Sequence, residues 1–455
     1  MQTLQIGTKR RQPRKRARLV VRHADQANPL MNPQKSRQHA EARAVQPSRN
    51  QRKSLPPVAQ RAVRANPQNR QRSPQLAAVP AEQAANNTRG RTVQVGSMAQ
   101  YFAFQWHITD ECDQRCKHCY IFAEGHPALV SMDWEQIQKV FFNALAFCQR
   151  YDRLPYLYLT GGDPILHPQF WELLKLCKEH DVPFTLMGNP FHLNTENLRR
   201  MRDYGCDKYQ MSIDGMERTH DWFRKPGSFK TTLEKIRLIN EADITSVIMS
   251  TVSGTNIDEI PDVIDAVVAA EAQVYAFARY VPTSDGKGNE KSDWYITPER
   301  YRDFLEDIDC KYRDYESKGC KTYFNRKDHL WTLFNYEHGR FSLPPEEGKQ
   351  TKNPLIIYDG CNCGNCHITI LPTGDIYACR RVANSKVGNA FSDSLADVWT
   401  GAKMEAFRNY GRFSKCAKCE LLPYCRGCPA VAAGSSGGDF YAADPQCWKV
   451  MGGNS

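Results

Sequence analysis

Three closely spaced cysteines are the residues of this chain best suited to chemistry. Cys112, Cys116 and Cys119 follow the spacing C-x3-C-x2-C. Three thiolates held this close can ligate three irons of a cubane [4Fe–4S] cluster and leave the fourth iron open. An open iron can bind a small molecule, so such a site can carry out chemistry as well as transfer electrons.

A structural zinc site is the main alternative for this cysteine triplet. Zinc usually takes four ligands, often as two C-x2-C pairs, and His107 or His118 could supply the fourth. Disulfides are disfavoured because the triplet is odd in number and no export signal is evident. The spacing favours an iron–sulfur site and leaves zinc open.

The length and composition limit the classes of protein to which the chain can belong. The chain has 455 residues and 17 cysteines, enough for two or three domains with a sizeable core. We find no signal peptide and no apolar run long enough to span a membrane. Many cysteines without an export signal indicate a reducing compartment, so we expect a cytoplasmic protein with no membrane partner.

The positive charge belongs to the first 98 residues. Residues 1–98 hold 20 Lys and Arg against three acids, a net charge of +17, whereas the remainder has a net charge of −6. Too few apolar residues occur there to offset the ordering entropy, which predicts a disordered basic tail. Its basic runs at 9–11 and 14–16 could bind an acidic partner, but nucleic acid is disfavoured without aromatic platforms. Translation from Met98 is a further alternative.

The segment from residue 99 to 291 alternates strands with helices. Helical periodicity between the strands is clearest in 133–149, where Asp133 and Gln136 fit a capping box. This alternation predicts an α/β fold with a parallel sheet, and six units suit an open, partial (β/α)6 TIM-like barrel. Ligands in such folds bind at the carboxyl ends of the strands, where the triplet lies. The predicted strands are 102–108, 155–160, 183–188, 208–213, 246–252 and 274–281.

Two further regions follow the predicted barrel. Residues 292–354 read as a helical connecting region, with a helix beginning near Thr297-Pro298-Glu299. Residues 355–455 are rich in cysteine and turn residues, which predicts a small domain that needs metal to fold.

A second motif, Leu159-Thr-Gly-Gly-Asp-Pro164, ends the second predicted strand. Two glycines there let the backbone approach a ligand closely. An ordinary strand–helix turn is the alternative, and the position one unit after the triplet favours the ligand site.

Together the two motifs resemble the radical S-adenosylmethionine (SAM) superfamily, whose second motif is usually Gly-Gly-Glu-Pro. The resemblance implies a partial (β/α)6 barrel and an open iron chelated by SAM. It implies that Gly161, Gly162 and Asp163 face the SAM amino group, and that His118 and Tyr120 lie near the adenine. The reduced cluster would cleave SAM to methionine and a 5′-deoxyadenosyl radical, which abstracts hydrogen from an unactivated carbon.

The resemblance extends to two later strand ends. Gln210-Met-Ser-Ile-Asp-Gly215 is similar to the ribose-contact segment of the family, with Ser212 and Asp214 as candidates, although a simple turn would explain it too. Arg279 resembles the basic position near the SAM carboxylate.

The C-terminal cysteines suit two four-cysteine sites, for which spacing alone does not choose between iron–sulfur clusters and zinc. Their pattern resembles the SPASM domain of peptide-modifying radical SAM enzymes. The usual C-R-G-G-C is one residue shorter here, as Cys425-Arg-Gly-Cys428. The candidate ligands are Cys361, Cys363, Cys366, Cys379, Cys416, Cys419, Cys425, Cys428 and Cys447.

By analogy, the resemblance implies two auxiliary [4Fe–4S] clusters. The first would take Cys379, Cys428 and two of the three cysteines at 361, 363 and 366. The second would take Cys416, Cys419, Cys425 and Cys447. Full ligation would make both clusters electron carriers, whereas an open iron on the first could instead bind substrate. The other cysteines carry no ligand prediction, namely Cys148 and Cys177 on apolar helical faces and Cys206, Cys310 and Cys320.

The resemblance therefore implies a radical SAM oxidoreductase that crosslinks or oxidises a peptide or protein, with a ferredoxin- or flavodoxin-type electron donor. The first motif is most similar to maturases of short Cys-containing peptides, including the ACGX system. One alternative is a formylglycine-type sulfatase maturase. Others are a non-catalytic iron–sulfur electron-transfer protein and a zinc protein that binds nucleic acid through the tail.

Overall fold

The computed structural model describes residues 101–122, 128–283, 290–343 and 357–451. The predicted basic tail over 1–98 lies outside these described residues. No helix within them is both long and apolar enough to cross a membrane.

Ten strands of the described residues form one sheet. In spatial order they run β10-β9-β8-β1-β2-β3-β4-β5-β6-β7. The eight strands from β8 to β7 are all parallel. Strand β9 pairs antiparallel with β8, and β10 pairs antiparallel with β9. The strands are β1 Tyr101–Thr109, β2 Leu154–Gly161, β3 Phe184–Met187, β4 Cys206–Ser212, β5 Thr245–Val252, β6 Val274–Arg279, β7 Tyr323–Asn325, β8 His367–Ile370, β9 Asp375–Tyr377 and β10 Lys386–Asn389.

Helices connect the strands, as a parallel sheet requires. The α-helices are α1 Trp134–Arg150, α2 Phe170–Glu179, α3 Thr195–Asp203, α4 Glu217–Phe223, α5 Ser228–Glu241, α6 Ile260–Ala269, α7 Pro298–Ser317, α8 Leu330–Glu337, α9 Leu395–Thr400, α10 Ala402–Ala406 and α11 Pro429–Ser435.

The first βαβ unit shows how the sequence positions the cysteine triplet. Alternate residues of β1, among them Phe104 and Trp106, are buried in the hydrophobic core. Phe104 meets Phe147 of α1 with ring centroids 5.6 Å apart. The predicted capping box begins α1, because the N–H of Gln136 donates to Asp133 Oδ1 at 2.8 Å and the N–H of Asp133 donates to Gln136 Oε1 at 3.0 Å. The strand and helix that flank the loop carrying the triplet are therefore packed against each other.

All six predicted strands are confirmed, and the sheet extends beyond them on both sides. The predicted helical region 292–354 contains α7 and α8 but also β7, which pairs with β6. The cysteine-rich segment supplies β8, which pairs with β1 through Ala103–His367 and its neighbours. Strands of three or four residues are too short to show a period in sequence, and the unpaired edges of a six-stranded sheet recruit them.

Candidate active site

The cysteine triplet lies on the loop after β1 and lines a pocket of about 240 Å³. The pocket lies at the carboxyl ends of β2 to β5, where Thr160, Met187, Ser212 and Thr251 contribute to its wall. Within the triplet, the N–H of Cys119 donates to the carbonyl of Cys116 at 3.0 Å, so the loop is a tight turn. All three sulfurs therefore belong to one wall of one pocket.

Polar side chains from neighbouring loops contact two of these sulfurs. Asn189 Nδ2 donates to Cys112 Sγ at 3.2 Å, and Arg224 Nη1 lies 3.8 Å from Cys116 Sγ. Burial raises the pKa of Cys116 to about 11, and the Arg224 guanidinium opposes that rise. Both contacts favour the thiolate form that binds iron. Asn189 follows β3, so the strand-end rule could have identified it, whereas Arg224 has no local signal.

The two glycines of the second motif are required by the backbone of the preceding loop. The N–H of Gly162 donates to the carbonyl of Thr109 at 2.8 Å, and the N–H of Asp163 donates to that of Glu111 at 2.7 Å. A Cβ on Gly161, at φ +137°, would lie 2.0 Å from the Thr109 carbonyl oxygen. Both glycines line the pocket. We predicted that these glycines let the backbone approach a ligand. In the structure they let it approach the loop that carries the cysteines.

The buried carboxylate of Asp163 lies within 4.8 Å of Asp113 and His192 but has no hydrogen-bond partner. Its side chain is fully buried, and neither oxygen has a hydrogen bond of normal geometry. Burial and then the Asp113 carboxylate raise the pKa of Asp163 to about 7, although the N–H groups of Ile165 and Asn189 oppose the rise. An ammonium group at the pocket would satisfy this carboxylate. Asp163 does not itself line the pocket, although its neighbours Gly161 and Gly162 do, so its contact with the SAM amino group stays a prediction.

Ser212 and Asp214, the two predicted ribose contacts, lie in different environments. Ser212 lines the pocket, whereas Asp214 is fully buried behind it. Arg224 Nε donates to Asp214 Oδ2 at 2.6 Å, and the N–H of Thr251 donates to Oδ1 at 2.8 Å. Although burial acts in the opposite direction, Arg224 lowers the pKa of Asp214 to about 2. The carboxylate of Asp214 thus positions Arg224 beside the cysteines, and the predicted ribose contact does not fit it.

His118 and Tyr120 both line the pocket, as expected for residues flanking the third cysteine. His118 Nε2 lies 3.6 Å from Asp214 Oδ2. The Tyr120 ring is covered by the Arg380 guanidinium, 4.4 Å from the ring centroid. His107 is buried near Tyr120 with neither ring nitrogen hydrogen-bonded, so it is not oriented by a partner as metal-ligating histidines usually are.

Arg279 occupies a buried ion network and does not line this pocket. Its Nε donates to Asp328 at 2.9 Å, and its Nη1 and Nη2 donate to Asp444 at 2.6 and 2.8 Å. A further bond from Nη1 reaches Gln446 at 3.0 Å. With its donors directed to these partners, Arg279 is unsuited to the predicted SAM carboxylate contact. The arginines that do line the pocket are Arg224 and Arg381.

The structure distinguishes Cys366 from the other candidate cysteines of the first auxiliary group. Burial, followed by the neighbouring Cys379 and Cys428, raises the pKa of Cys361 to about 12. Burial and the same neighbours also raise the pKa of Cys363, whereas no cysteine acts on Cys366, which is exposed. Of the three cysteines at 361, 363 and 366, Cys361 and Cys363 are thus the two on which Cys379 and Cys428 act.

The second group brings together Cys416, Cys419, Cys425 and Cys447. Burial, then Cys447 and Cys419, raises the pKa of Cys416 to about 12. Burial is also the largest cause of the raised pKa of Cys425, to which Cys416 and Cys447 add. These are the four cysteines predicted for the second cluster.

Asp444 ties both groups to the barrel. It accepts the N–H of Cys428 at 2.7 Å through Oδ2, and its carbonyl accepts the N–H of Cys447 at 3.1 Å. Gly427, at φ +59°, has no room for a side chain because a Cβ would lie 2.5 Å from Asp444 Oδ2. The shortened Cys425–Cys428 loop is thus packed directly onto the carboxylate that Arg279 holds.

The spacing of the sulfurs bears on the choice between zinc and iron–sulfur clusters. Four thiolates on one zinc ion lie about 3.8 Å apart, since Zn–S is about 2.3 Å. In the described part of the chain, no three cysteine sulfurs lie within 4.8 Å of one another. None of the cysteine groups among the described residues therefore has the close packing of a zinc site, whereas in a cubane cluster each sulfur binds a different iron.

Comparisons with known proteins agree with this geometry. The Radical SAM superfamily profile matches residues 106–267, and the SPASM iron-sulfur cluster-binding domain matches residues 361–429. An AdoMet-dependent heme synthase of Methanosarcina barkeri is 25% identical over 348 residues, 75% of this chain and 95% of the relative. The sporulation killing factor maturation protein SkfB of Bacillus subtilis is also 25% identical, over 72% of each chain.

A solved structure shares the fold. SuiB of Streptococcus suis bound to S-adenosylmethionine aligns with a TM-score of 0.58 at 17% identity, covering 77% of this chain and 78% of SuiB. The chain thus belongs to the radical SAM superfamily and carries a SPASM domain. It is an enzyme that uses a [4Fe–4S] cluster, SAM and auxiliary iron–sulfur clusters.

Proposed function

We propose that this radical SAM enzyme modifies a peptide or protein substrate, by forming a thioether or carbon–carbon crosslink or by oxidation. When bound, the cluster and SAM supply a 5′-deoxyadenosyl radical that can remove hydrogen from an unactivated carbon. An electron donor of the ferredoxin or flavodoxin type would provide the reducing electron. The chain itself contributes binding, orientation and the exclusion of water.

Each site residue has a proposed role. Cys112, Cys116 and Cys119 hold the SAM cluster, and the two four-cysteine groups hold the auxiliary clusters. Asp163 accepts hydrogen bonds from the SAM amino group. Ser212 is the candidate for the ribose.

Three further side chains complete the SAM pocket. His118 and Tyr120 flank the adenine from the pocket wall. Arg381 takes the carboxylate role first expected of Arg279, because it lines the pocket and Arg279 does not.

One observation carries the proposal for a large substrate. Tyr120 follows Cys119 of the triplet, and Arg380, which covers the Tyr120 ring, follows Cys379 of the first auxiliary group. The SAM pocket and the first auxiliary group thus share a wall. A substrate that reaches both at once is most readily a peptide.

Several peptide-directed relatives support the same reading. SkfB and the mycofactocin maturase MftC of Mycolicibacterium smegmatis are maturation proteins by name. SuiB has been solved with its precursor peptide SuiA, and this chain aligns with that structure at a TM-score of 0.58.

A tetrapyrrole is the second candidate substrate. The heme synthase of Methanosarcina barkeri aligns over 95% of its length, compared with 72% for SkfB. End-to-end similarity of this kind favours a shared overall architecture, although 25% identity does not carry the substrate across.

Co-expression would test the proposed function. The enzyme is produced anaerobically together with a short Cys-containing peptide, and the peptide is analysed by mass spectrometry. We expect the wild type to give a modified peptide, such as one that has lost two hydrogens. The Cys116→Ala variant should leave the peptide unmodified. An unmodified peptide together with consumption of Fe-coproporphyrin III would instead support the second candidate.

A further inference from the structure

Three cationic side chains meet beside the SAM pocket without acidic partners. We call Lys327, Arg380 and Arg381 the basic cleft. Among the described residues, no carboxylate lies within 4.0 Å of their charged groups. The buried Arg224 and Arg279, by contrast, are both paired with aspartates. Cations without a carboxylate partner attract an anion.

Contacts place these cations along one wall. Arg380 stacks on Tyr120, with 4.4 Å between the guanidinium carbon and the ring centroid. Arg381 lines the SAM pocket and donates to the carbonyl of Arg279 at 3.4 Å. Lys327 follows β7, and its side chain is exposed. Partial loss of solvation, followed by the Arg381 charge, lowers the pKa of Lys327. The basic cleft therefore extends from the pocket toward the first auxiliary group.

Unsatisfied polar atoms mark the same wall. Arg380 Nε is buried without a hydrogen-bond partner, and both ring nitrogens of His107 are in the same state. The His107 and Tyr120 ring centroids are 6.2 Å apart, so His107 lies next to the ring that Arg380 covers. Buried polar groups without partners are rare in folded proteins, and a bound ligand is one way to satisfy them.

We propose that the basic cleft binds a carboxylate of the substrate and so holds the substrate against the SAM pocket. This inference deepens the proposed function and rests on it. SAM brings one carboxylate of its own, for which Arg381 is available. Arg380 and Lys327 do not line the SAM pocket and are left for a second carboxylate. Guanidinium–carboxylate pairs give directional, charge-assisted hydrogen bonds that suit this task.

Two sources could supply this carboxylate. A peptide offers an Asp or Glu side chain or its C-terminus, and a tetrapyrrole offers its propionates. Both present the same group to the basic cleft, so paired probes with and without the charge are needed to distinguish them.

The binding experiment uses the full-length, cluster-loaded enzyme under anaerobic conditions with SAM present. One probe pair is a fluorescein-labelled octapeptide with three aspartates and its asparagine counterpart. The other pair is Fe-coproporphyrin III and its tetramethyl ester. The variants are Arg380→Gln and Lys327→Gln, and the control is Arg300→Gln, which removes an exposed ion pair with Asp258. Dissociation constants are measured by fluorescence anisotropy or by absorbance.

For one probe pair we expect the carboxylate form to bind at least about tenfold more tightly than the neutral form. That preference should fall below about threefold in each of the two variants and persist in the control. The pair that shows the preference identifies the source of the carboxylate. The proposal is wrong if neither pair shows it, or if the preference survives both substitutions.

Failure of this inference can be separated from failure of the proposed function. If Lys327→Gln and Arg380→Gln produce as much modified peptide as the wild type, the basic cleft has no role and the proposed function stands. If no enzyme preparation modifies the peptide, the proposed function fails whatever the probes show.

Discussion

The cysteine triplet and the auxiliary cysteines are held in different ways. The triplet lines the pocket, and side chains such as Asn189 and Arg224 contact its sulfurs. The auxiliary thiols do not line it. Two of their sulfurs contact backbone groups, since the Cys425 thiol donates to the carbonyl of His329 at 3.3 Å and Cys361 Sγ accepts the N–H of Cys363 at 3.4 Å. Three thiols facing a pocket leave an iron for a ligand, whereas groups of four closed off by backbone suit clusters with no open iron.

Removing one thiol of the triplet should have the largest effect. Cys116→Ala should reduce 5′-deoxyadenosine formation by more than about 1,000-fold, because the radical chemistry belongs to the cofactor that this site holds. About eight of about twelve irons should remain, since the auxiliary groups are independent of the triplet. Chromatography of the nucleoside products and iron analysis measure the two effects. Loss of all the iron would contradict the separation of the two regions.

Cys363 and Cys366 form a matched pair for the next largest effect. Cys363→Ala should lose about four irons and most of the peptide product, because Cys363 belongs to a group of four. Cys366→Ala should keep its iron, because Cys366 is exposed and lies apart from that group. Iron analysis and electron paramagnetic resonance of the reduced proteins distinguish them. Equal losses in both variants would show that our assignment of the group is wrong.

The sequence predicts much of this comparison, but not what joins the two regions. The cysteine spacing separates the triplet from the auxiliary groups, and the strand pattern locates the triplet at the carboxyl edge. Arg279 and Asp444 are 165 residues apart, and nothing local in the sequence pairs them. The same holds for β8, whose four residues join β1 across the sheet. Long-range ion pairs and short edge strands depend on tertiary packing, so sequence reasoning did not reveal the partners of Arg279.

The Arg279 network provides a test of how the two regions are joined. Arg279→Met should lower the free energy of unfolding by about 3–5 kcal/mol, because it leaves the buried Asp328 and Asp444 uncompensated. Arg300→Met should cost less than about 1 kcal/mol, since its pair with Asp258 is exposed. Anaerobic urea unfolding of cluster-loaded protein measures both. Equal small changes would mean that the network does not hold the cysteine-rich region to the barrel.

Asp163→Asn should have a smaller effect on the pocket side. Loss of a charge-assisted hydrogen bond of about 1.5–3 kcal/mol should weaken SAM binding about 10- to 100-fold, as measured by calorimetry. Unchanged affinity would exclude the proposed contact with the SAM amino group.

The same variant has a predicted pH dependence without SAM. The pKa of Asp163 is raised to about 7, compared with about 3.9 in an unfolded chain. The folded state therefore keeps a proton that the unfolded state loses, and this group reduces stability as the pH rises from about 4 to 7. The thermal midpoint of Asp163→Asn should exceed that of the wild type at pH 8, with a smaller difference at pH 5. A difference independent of pH would contradict the raised pKa.

The most direct test of the difference between the two regions is Mössbauer spectroscopy of the ⁵⁷Fe-labelled, cluster-loaded wild type with and without SAM. About twelve irons are expected in three clusters, and SAM should change the signal of one iron only, the open site held by the triplet. A change in irons of more than one cluster, or no change at all, would contradict the account of one open cluster and two closed ones.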